Sequence, residues 1–235
     1  MSSTQGFVSL DALSRRDALR RIALALTAAG LGHGIDAADA AQVHQQVDEE
    51  RTLQGQYRIK YFNEHEFRTL ERLSELIVPA DEGGPSGREG GAPEFIDLLS
   101  SQNEELAHIF SGGILWLDSA SADRHGTRFV ECSEQAQTGL LDSLVDAERN
   151  ETGGETRWDT REYRRFSVFG VKSPSDMRQG LEFFGWSRRL IVDAYYTSPA
   201  GIKDLGFLGN SARSEYTVPQ EAIDYAFKRS PLRDA

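Results

Sequence analysis

Histidine and acidic side chains are the residues of this chain that could do metal or acid–base chemistry. His65-Glu66 begins like the zinc-binding helix of a metalloprotease, but Thr69 stands where the second histidine is needed. The other histidines are scattered, which argues against a metal cluster. The many carboxylates include no pair that stands out, so we interpret them as a solvated surface. We predict no catalytic residue and no metal site.

Glycine-rich segments are the second kind of pattern that could bind a ligand. The loop from Gly83 to Gly91 lacks the Gly-Lys-Ser/Thr ending of a phosphate loop, and the segment 205–210 lacks the spacing and the preceding strand of a dinucleotide site. No Gly-x-Ser-x-Gly nucleophile motif occurs. We therefore expect no cofactor in this chain and interpret the first loop as a turn or a partner-facing segment.

The N-terminus carries a transport address. Arg15 and Arg16 precede the apolar run Ile22–Leu31, whose 10 residues are too few for a helix that needs roughly 20 to span a membrane. Ala38-Asp39-Ala40 then offers a small-x-small cleavage site. We predict a twin-arginine signal peptide over residues 1–40, with periplasmic export of a folded protein. The residues of this export signal are Ser14, Arg15, Arg16 and Leu19.

Charge and cysteine content narrow the function classes. Residues 1–40 hold four arginines and four aspartates, so the rest of the chain keeps the formal net charge of -11. Such an acidic body argues against nucleic acid as a partner, and nothing in the sequence predicts a stable membrane span. Cys132 is the single cysteine, which excludes an internal disulfide. An intersubunit disulfide and a buried, inert thiol both remain open.

The elements that would position these residues are helices. We predict an extended, polar N-terminal arm over residues 41–61 and, over 62–235, a single all-α domain with long ordered loops, since no segment sustains alternation with period two. Asn63 and Glu66 form a capping pair for the first helix, which Pro79 ends. Further helices are predicted after Pro93, around 106–117 with loosening at Gly112-Gly113, after Ser133, from Pro174 to about Tyr195, and over 219–228.

The aromatic-rich helix near residue 190 is apolar over much of its circumference. Phe183, Phe184 and Trp186 cannot share one face, because successive helical residues turn by about 100°. Such a helix is either central in a bundle or shared with another chain.

Several of these segments together resemble one family, the gluconate 2-dehydrogenase subunit 3 proteins. The matching pieces are the leader, Phe62-Asn63-Glu64-His65-Glu66, Leu76 to Asp81, Gly90 to Asp97, Phe183-Phe184, Tyr195 to Gly201 and Leu205 to Asn210. The loop after Asp81 departs from the Pro-Gly-Ala-type step of that family.

The resemblance implies a small subunit without chemistry of its own. Such a subunit accompanies an FAD-dependent catalytic subunit of the glucose–methanol–choline type, helps it to fold and retain flavin, and brings it to the twin-arginine translocase; a c-type cytochrome with haem c is often the third member. We expect aromatic anchors at the partner interface. The predicted interface residues are Phe95, Trp116, Phe184, Trp186, Tyr196, Gly206, Phe207, Gly209 and Asn210.

Two other classes stay open at the level of the sequence. The chain could act alone, as an exported enzyme or small-molecule binder with a pocket between helices. It could also be a membrane-tethered structural subunit whose leader is never cleaved.

Overall fold

The computed structural model describes residues 21–22, 35, 37–151, 177–206 and 218–229. Within these ranges the regular elements are helices and none is a strand, which confirms the all-α class. The chain divides into two compact units, Met1–Leu205 and Gly206–Ala235. The first unit contains α1 Ala37–Gln54, α2 Glu64–Ile77, α3 Ala92–Ser100, α4 Glu104–His125, a 3-10 turn Phe129–Glu131, α5 Glu134–Glu151, α6 Arg178–Thr197 and α7 Pro199–Asp204, and the second contains α8 Gln220–Arg229.

Helix starts follow the capping chemistry in the sequence. The Asn63 side chain accepts a hydrogen bond from the Glu66 amide, and the Glu66 carboxylate accepts one from the Asn63 amide, each at 2.9 Å. This reciprocal pair satisfies two amides that the first turn leaves open, and α2 then ends at Ile77, before Pro79. The predicted capping pair is confirmed. The predicted start at Pro174 lies outside the described residues.

Helix α6 is the centre of the first unit. It contacts α1, α2, α3, α4, α5 and α7, and its side chains Phe183, Leu190 and Ile191 are almost fully buried. The apolar circumference therefore reflects a central position in the bundle.

Gly112-Gly113 does not loosen α4, which is continuous from Glu104 to His125. An added Cβ at Gly113 would lie 1.9 Å from Cγ of Phe183. The glycine thus lets the Phe183 ring lie against the α4 backbone, where it meets Phe110 edge to face at 5.6 Å between ring centroids. The prediction of a weakened helix was wrong because this glycine provides close packing.

The predicted extended arm is also wrong over most of its length. Residues 41–54 belong to α1, which buries Ala40, Val43, His44 and Val47 and packs on α3 and α6. These four positions follow the i, i+3, i+4, i+7 spacing and so share one face of the helix. A stripe this narrow, on an otherwise charged segment, does not stand out in composition. The predicted border between leader and arm falls inside the first turn of α1.

The segment between α1 and α2 is irregular, and one buried carboxylate organises it. Asp97 on α3 is fully buried. It accepts hydrogen bonds from the Tyr57 hydroxyl and from three successive amides, Lys60 to Phe62, at 2.7 to 3.0 Å. Burial, and then the adjacent Asp97 carboxylate, raise the pKa of Tyr57. Asp97 thereby fixes the path of the chain into α2.

Candidate docking groove

The corner between α6 and α7 shapes the candidate site. Ser198 donates its hydroxyl to the Tyr195 carbonyl at 2.7 Å and accepts the Gly201 amide at 3.1 Å, so it both ends α6 and caps α7. Pro199 begins α7, where a missing amide hydrogen costs nothing. An added Cβ at Gly201 would lie 2.1 Å from the Tyr195 backbone carbonyl oxygen. The Ser-Pro-x-Gly sequence therefore forms a tight corner between two helices.

Tyr195 anchors this corner to the glycine-rich loop. Its hydroxyl donates to Asp204 of α7 at 3.2 Å, and its ring is buried. A Cβ added at Gly84 would lie 2.4 Å from the Tyr195 hydroxyl oxygen, and a Cβ added at Gly90 would lie 2.7 Å from the Tyr195 ring. The loop is therefore ordered against the body, and these two glycines allow a close approach of backbone to ring.

A groove lies between α1 and the α6–α7 corner. Its volume is about 800 Å³, and α1 and α7 contribute Leu53 and Ile202, whose side chains are 83% and 39% exposed. Leu205, one turn beyond Ile202, is 60% exposed. Exposed aliphatic side chains from two helices at one groove are typical of an interaction surface. The full lining is Ala41, His44, Gln45, Asp48, Glu49, Thr52, Leu53, Thr197, Pro199 and Ile202.

The polar side chains of the groove are acidic or neutral. Asp48 and Glu49 line it, and no lysine or arginine is among the lining residues that the structure describes. His44 lies at the base of the groove, with Nε2 3.1 Å from Oγ1 of Thr197 and its ring centroid 4.9 Å from that of Phe95. Burial lowers the pKa of His44, which favours a neutral imidazole. The groove therefore offers apolar contacts beside the carboxylates of Glu49 and of Asp48, which pairs with Arg51 at 3.8 Å.

A second cleft, of about 840 Å³, is lined by residues that form ion pairs. Arg72 donates to Gln137 at 2.8 Å and to Glu134 at 2.9 Å. Arg88 of the glycine-rich loop pairs with Glu71 at 3.1 Å and Glu75 at 3.0 Å, both on α2. Each arginine already holds carboxylates, so we interpret this cleft as a structural tie between the loop, α2 and α5.

The predicted interface residues fall into three groups: buried, at least partly exposed, and outside the described residues. Phe95, Phe184 and Trp186 are 0%, 6% and 4% exposed, so the prediction that they face a partner is wrong and they are core side chains. Tyr196 is 40% exposed and lies at the corner. Trp116 is half-buried against Gly180, and Gly206 is exposed with a φ of 61°. Outside the described residues lie Phe207, Gly209, Asn210 and the four export-signal residues.

Cys132 is partly exposed and unbridged within the chain. Its Sγ lies 3.5 Å from the Arg128 carbonyl oxygen. The bridged and the inert alternatives both stay open.

Leu53 and Ile202 were not predicted as site residues. Leu53 is the one apolar residue in Glu49-Glu50-Arg51-Thr52-Leu53-Gln54, a segment that the sequence had suggested to be an extended arm. Once the segment is recognised as a helix, an apolar residue on its charged surface indicates a candidate interaction site. Ile202 directly follows the corner motif and lines the groove together with Pro199.

Among the residues described, no group of three or more histidine, cysteine, aspartate or glutamate side chains is arranged to hold a metal ion. In the same part of the chain, each helix is either too short or too polar to cross a bilayer.

The fold and the groove together define an all-α protein that presents an apolar and acidic surface at a helix corner. Residues 64–213 match the family Gluconate 2-dehydrogenase subunit 3. Because the match spans more than half of the chain, the protein belongs to this family, and membership implies a dehydrogenase catalytic partner. No curated protein and no solved structure matches the chain.

Proposed function

We propose that this chain is the non-catalytic small subunit of a periplasmic FAD-dependent dehydrogenase of the glucose–methanol–choline type, which oxidises a sugar or sugar acid. It supports folding and flavin loading of the catalytic subunit and carries that subunit through the twin-arginine translocase. A c-type cytochrome subunit would accept the electrons. The family match over residues 64–213 carries the proposal, since it includes the corner that shapes the groove.

The groove is where the catalytic subunit docks. Leu53 and Ile202 supply exposed apolar contacts from two helices, and Asp48 and Glu49 place negative charge beside them. The complementary partner surface is an apolar segment flanked by lysine or arginine, because opposite charge at an interface rim speeds association and selects the partner.

Glutamate substitutions at Leu53 and Ile202 test this docking. In the double variant Leu53→Glu, Ile202→Glu, two carboxylates would be buried at the interface, so we expect the affinity for the catalytic subunit to fall at least about 100-fold. The measurement is co-elution of flavin absorbance and dehydrogenase activity with this subunit after co-expression with the catalytic subunit.

Leu115→Glu is the matched control. Leu115 is 71% exposed on α4 and lines neither cleft, so this variant should bind normally. Equal binding by the double variant and the control would contradict docking at the groove. A catalytic subunit that loads flavin and works equally well when expressed alone would contradict the escort function.

A further inference from the structure

The small-x-small motif that would end the leader lies inside a folded helix. Ala38, Asp39 and Ala40 belong to the first turn of α1, which begins at Ala37. The Ala40 side chain, which a leader peptidase must bind next to the scissile bond, is 0% exposed.

Contacts on both sides hold this turn against the body. Downstream, Val43 and Val47 are buried on the face that packs on α3 and α6. Upstream, the Ile35 amide donates to the Asp193 carboxylate at 3.4 Å, and the Ile35 side chain packs on the core. The bond between Ala40 and Ala41 is therefore enclosed by two attachments to the same helix, α6.

A peptidase needs a different conformation. Peptide-binding clefts commonly take an extended segment, whose backbone amides and carbonyls pair with the cleft and whose alternate side chains enter pockets. In α1 the backbone groups pair within the helix, and the small side chain at Ala40 faces the core. Cleavage at this bond requires local unfolding of the start of α1, whose population sets the cleavage rate.

We propose that docking of α1 protects the Ala40–Ala41 bond, so that the exported subunit retains residues N-terminal to Ala41. The protected reaction is hydrolysis by water on a leader peptidase, which would leave a carboxylate on Ala40 and an ammonium group on Ala41. This inference rests on the proposed export function, because a twin-arginine substrate reaches the peptidase already folded.

Purified full-length protein and a synthetic peptide of residues 33–46 are the two substrates of the test, each incubated with leader peptidase and followed by intact mass. We expect the peptide to be cut after Ala40 and the folded protein at least about 100-fold more slowly. An uncut peptide, or equal rates for the two substrates, would overturn the proposal.

Aspartate variants on the two faces of α1 provide the second arm. Val43→Asp with Val47→Asp places charge on the buried face and should raise cleavage of the full-length protein towards the rate of the peptide. Gln42→Asp adds one carboxylate on the exposed face and should leave cleavage slow. Should the double variant fail to fold, Val43→Ala gives a milder undocking and an intermediate rate. Unchanged rates in the buried-face variants would contradict protection by docking.

The N-terminus of the subunit isolated from the periplasm completes the test. A start upstream of Ala41 supports the proposal, and a start at Ala41 overturns it. Failure of the export function has a different signature: the subunit would stay in the cytoplasm, and the comparison of purified protein with peptide would be unaffected.

Discussion

At the scale of single residues, Asp97 is a carboxylate whose surroundings are set by one segment of the chain. It is fully buried and accepts four hydrogen bonds from one chain segment. A carboxylate has about four acceptor sites and no donor when it is ionised, so the four donors match its capacity. Its role is to hold the connection between α1 and α2.

Asp97→Asn should therefore destabilise the protein although the side chain keeps its shape. The amide NH2 group would face donors and leave some of them unpaired, at a cost of about 3 kcal/mol in the free energy of unfolding. The measurement is the midpoint of urea unfolding. Asp123→Asn, at an exposed position on α4, is the control and should be neutral; an equal shift in both variants would contradict the role of Asp97.

At the scale of helices, two glycines predict opposite outcomes for the same substitution. Gly113 of α4 lies against the Phe183 ring, whereas nothing lies within 4 Å of an added Cβ at Gly139 of α5. Alanine is the better helix former by about 1 kcal/mol. At Gly113 this gain is outweighed by overlap with a buried ring.

Gly139→Ala should raise the free energy of unfolding by about 0.5–1 kcal/mol. Gly113→Ala should lower it by about 2 kcal/mol, because overpacking forces α4 and α6 apart. Thermal unfolding of the two variants beside the unmodified protein checks both signs. Two shifts of the same sign would show that helix propensity alone governs these positions.

Local chemistry made several helices predictable. Asn63 with Glu66 is a start signal that acts within one turn, so the sequence shows it directly. Ser198 with Pro199 acts in the same way, but the short helix α7 that this pair begins was not predicted. α1 was missed because its stability comes from burying Val43 and Val47 against α3 and α6, which are distant in sequence. The continuity of α4 was missed for a similar reason, since only the Phe183 ring explains Gly113.

The docking groove could be predicted only in part. The corner motif from Tyr195 to Gly201 stands out in the sequence, and the exposure of Tyr196 leaves its predicted interface role a prediction. Phe95, Phe184 and Trp186 were assigned to an interface because aromatic residues serve both as core and as anchors, and their composition does not distinguish the two. Leu53 becomes a site residue only after α1 has folded beside α7.

At the scale of the whole molecule, the export function can be separated from folding. We predict that Arg15→Lys with Arg16→Lys leaves the complex with the catalytic subunit intact and keeps its dehydrogenase activity inside the cell, because the two arginines belong to a different segment from the residues that we assign to the docking groove. The measurement is activity in periplasmic and cytoplasmic fractions, together with co-elution of the two subunits. Normal export of activity by this variant would refute a twin-arginine route.

The packing of α1 on α6 has a consequence for protein synthesis. His44 contacts Thr197 across 153 residues of sequence, and Ile35 contacts Asp193 across 158. A ribosome releases the N-terminal part first, so α1 emerges long before α6 exists to receive it. α1 can therefore dock fully only after translation has passed Thr197. A truncated chain that ends before α6 would keep this helix undocked, next to the predicted twin-arginine signal.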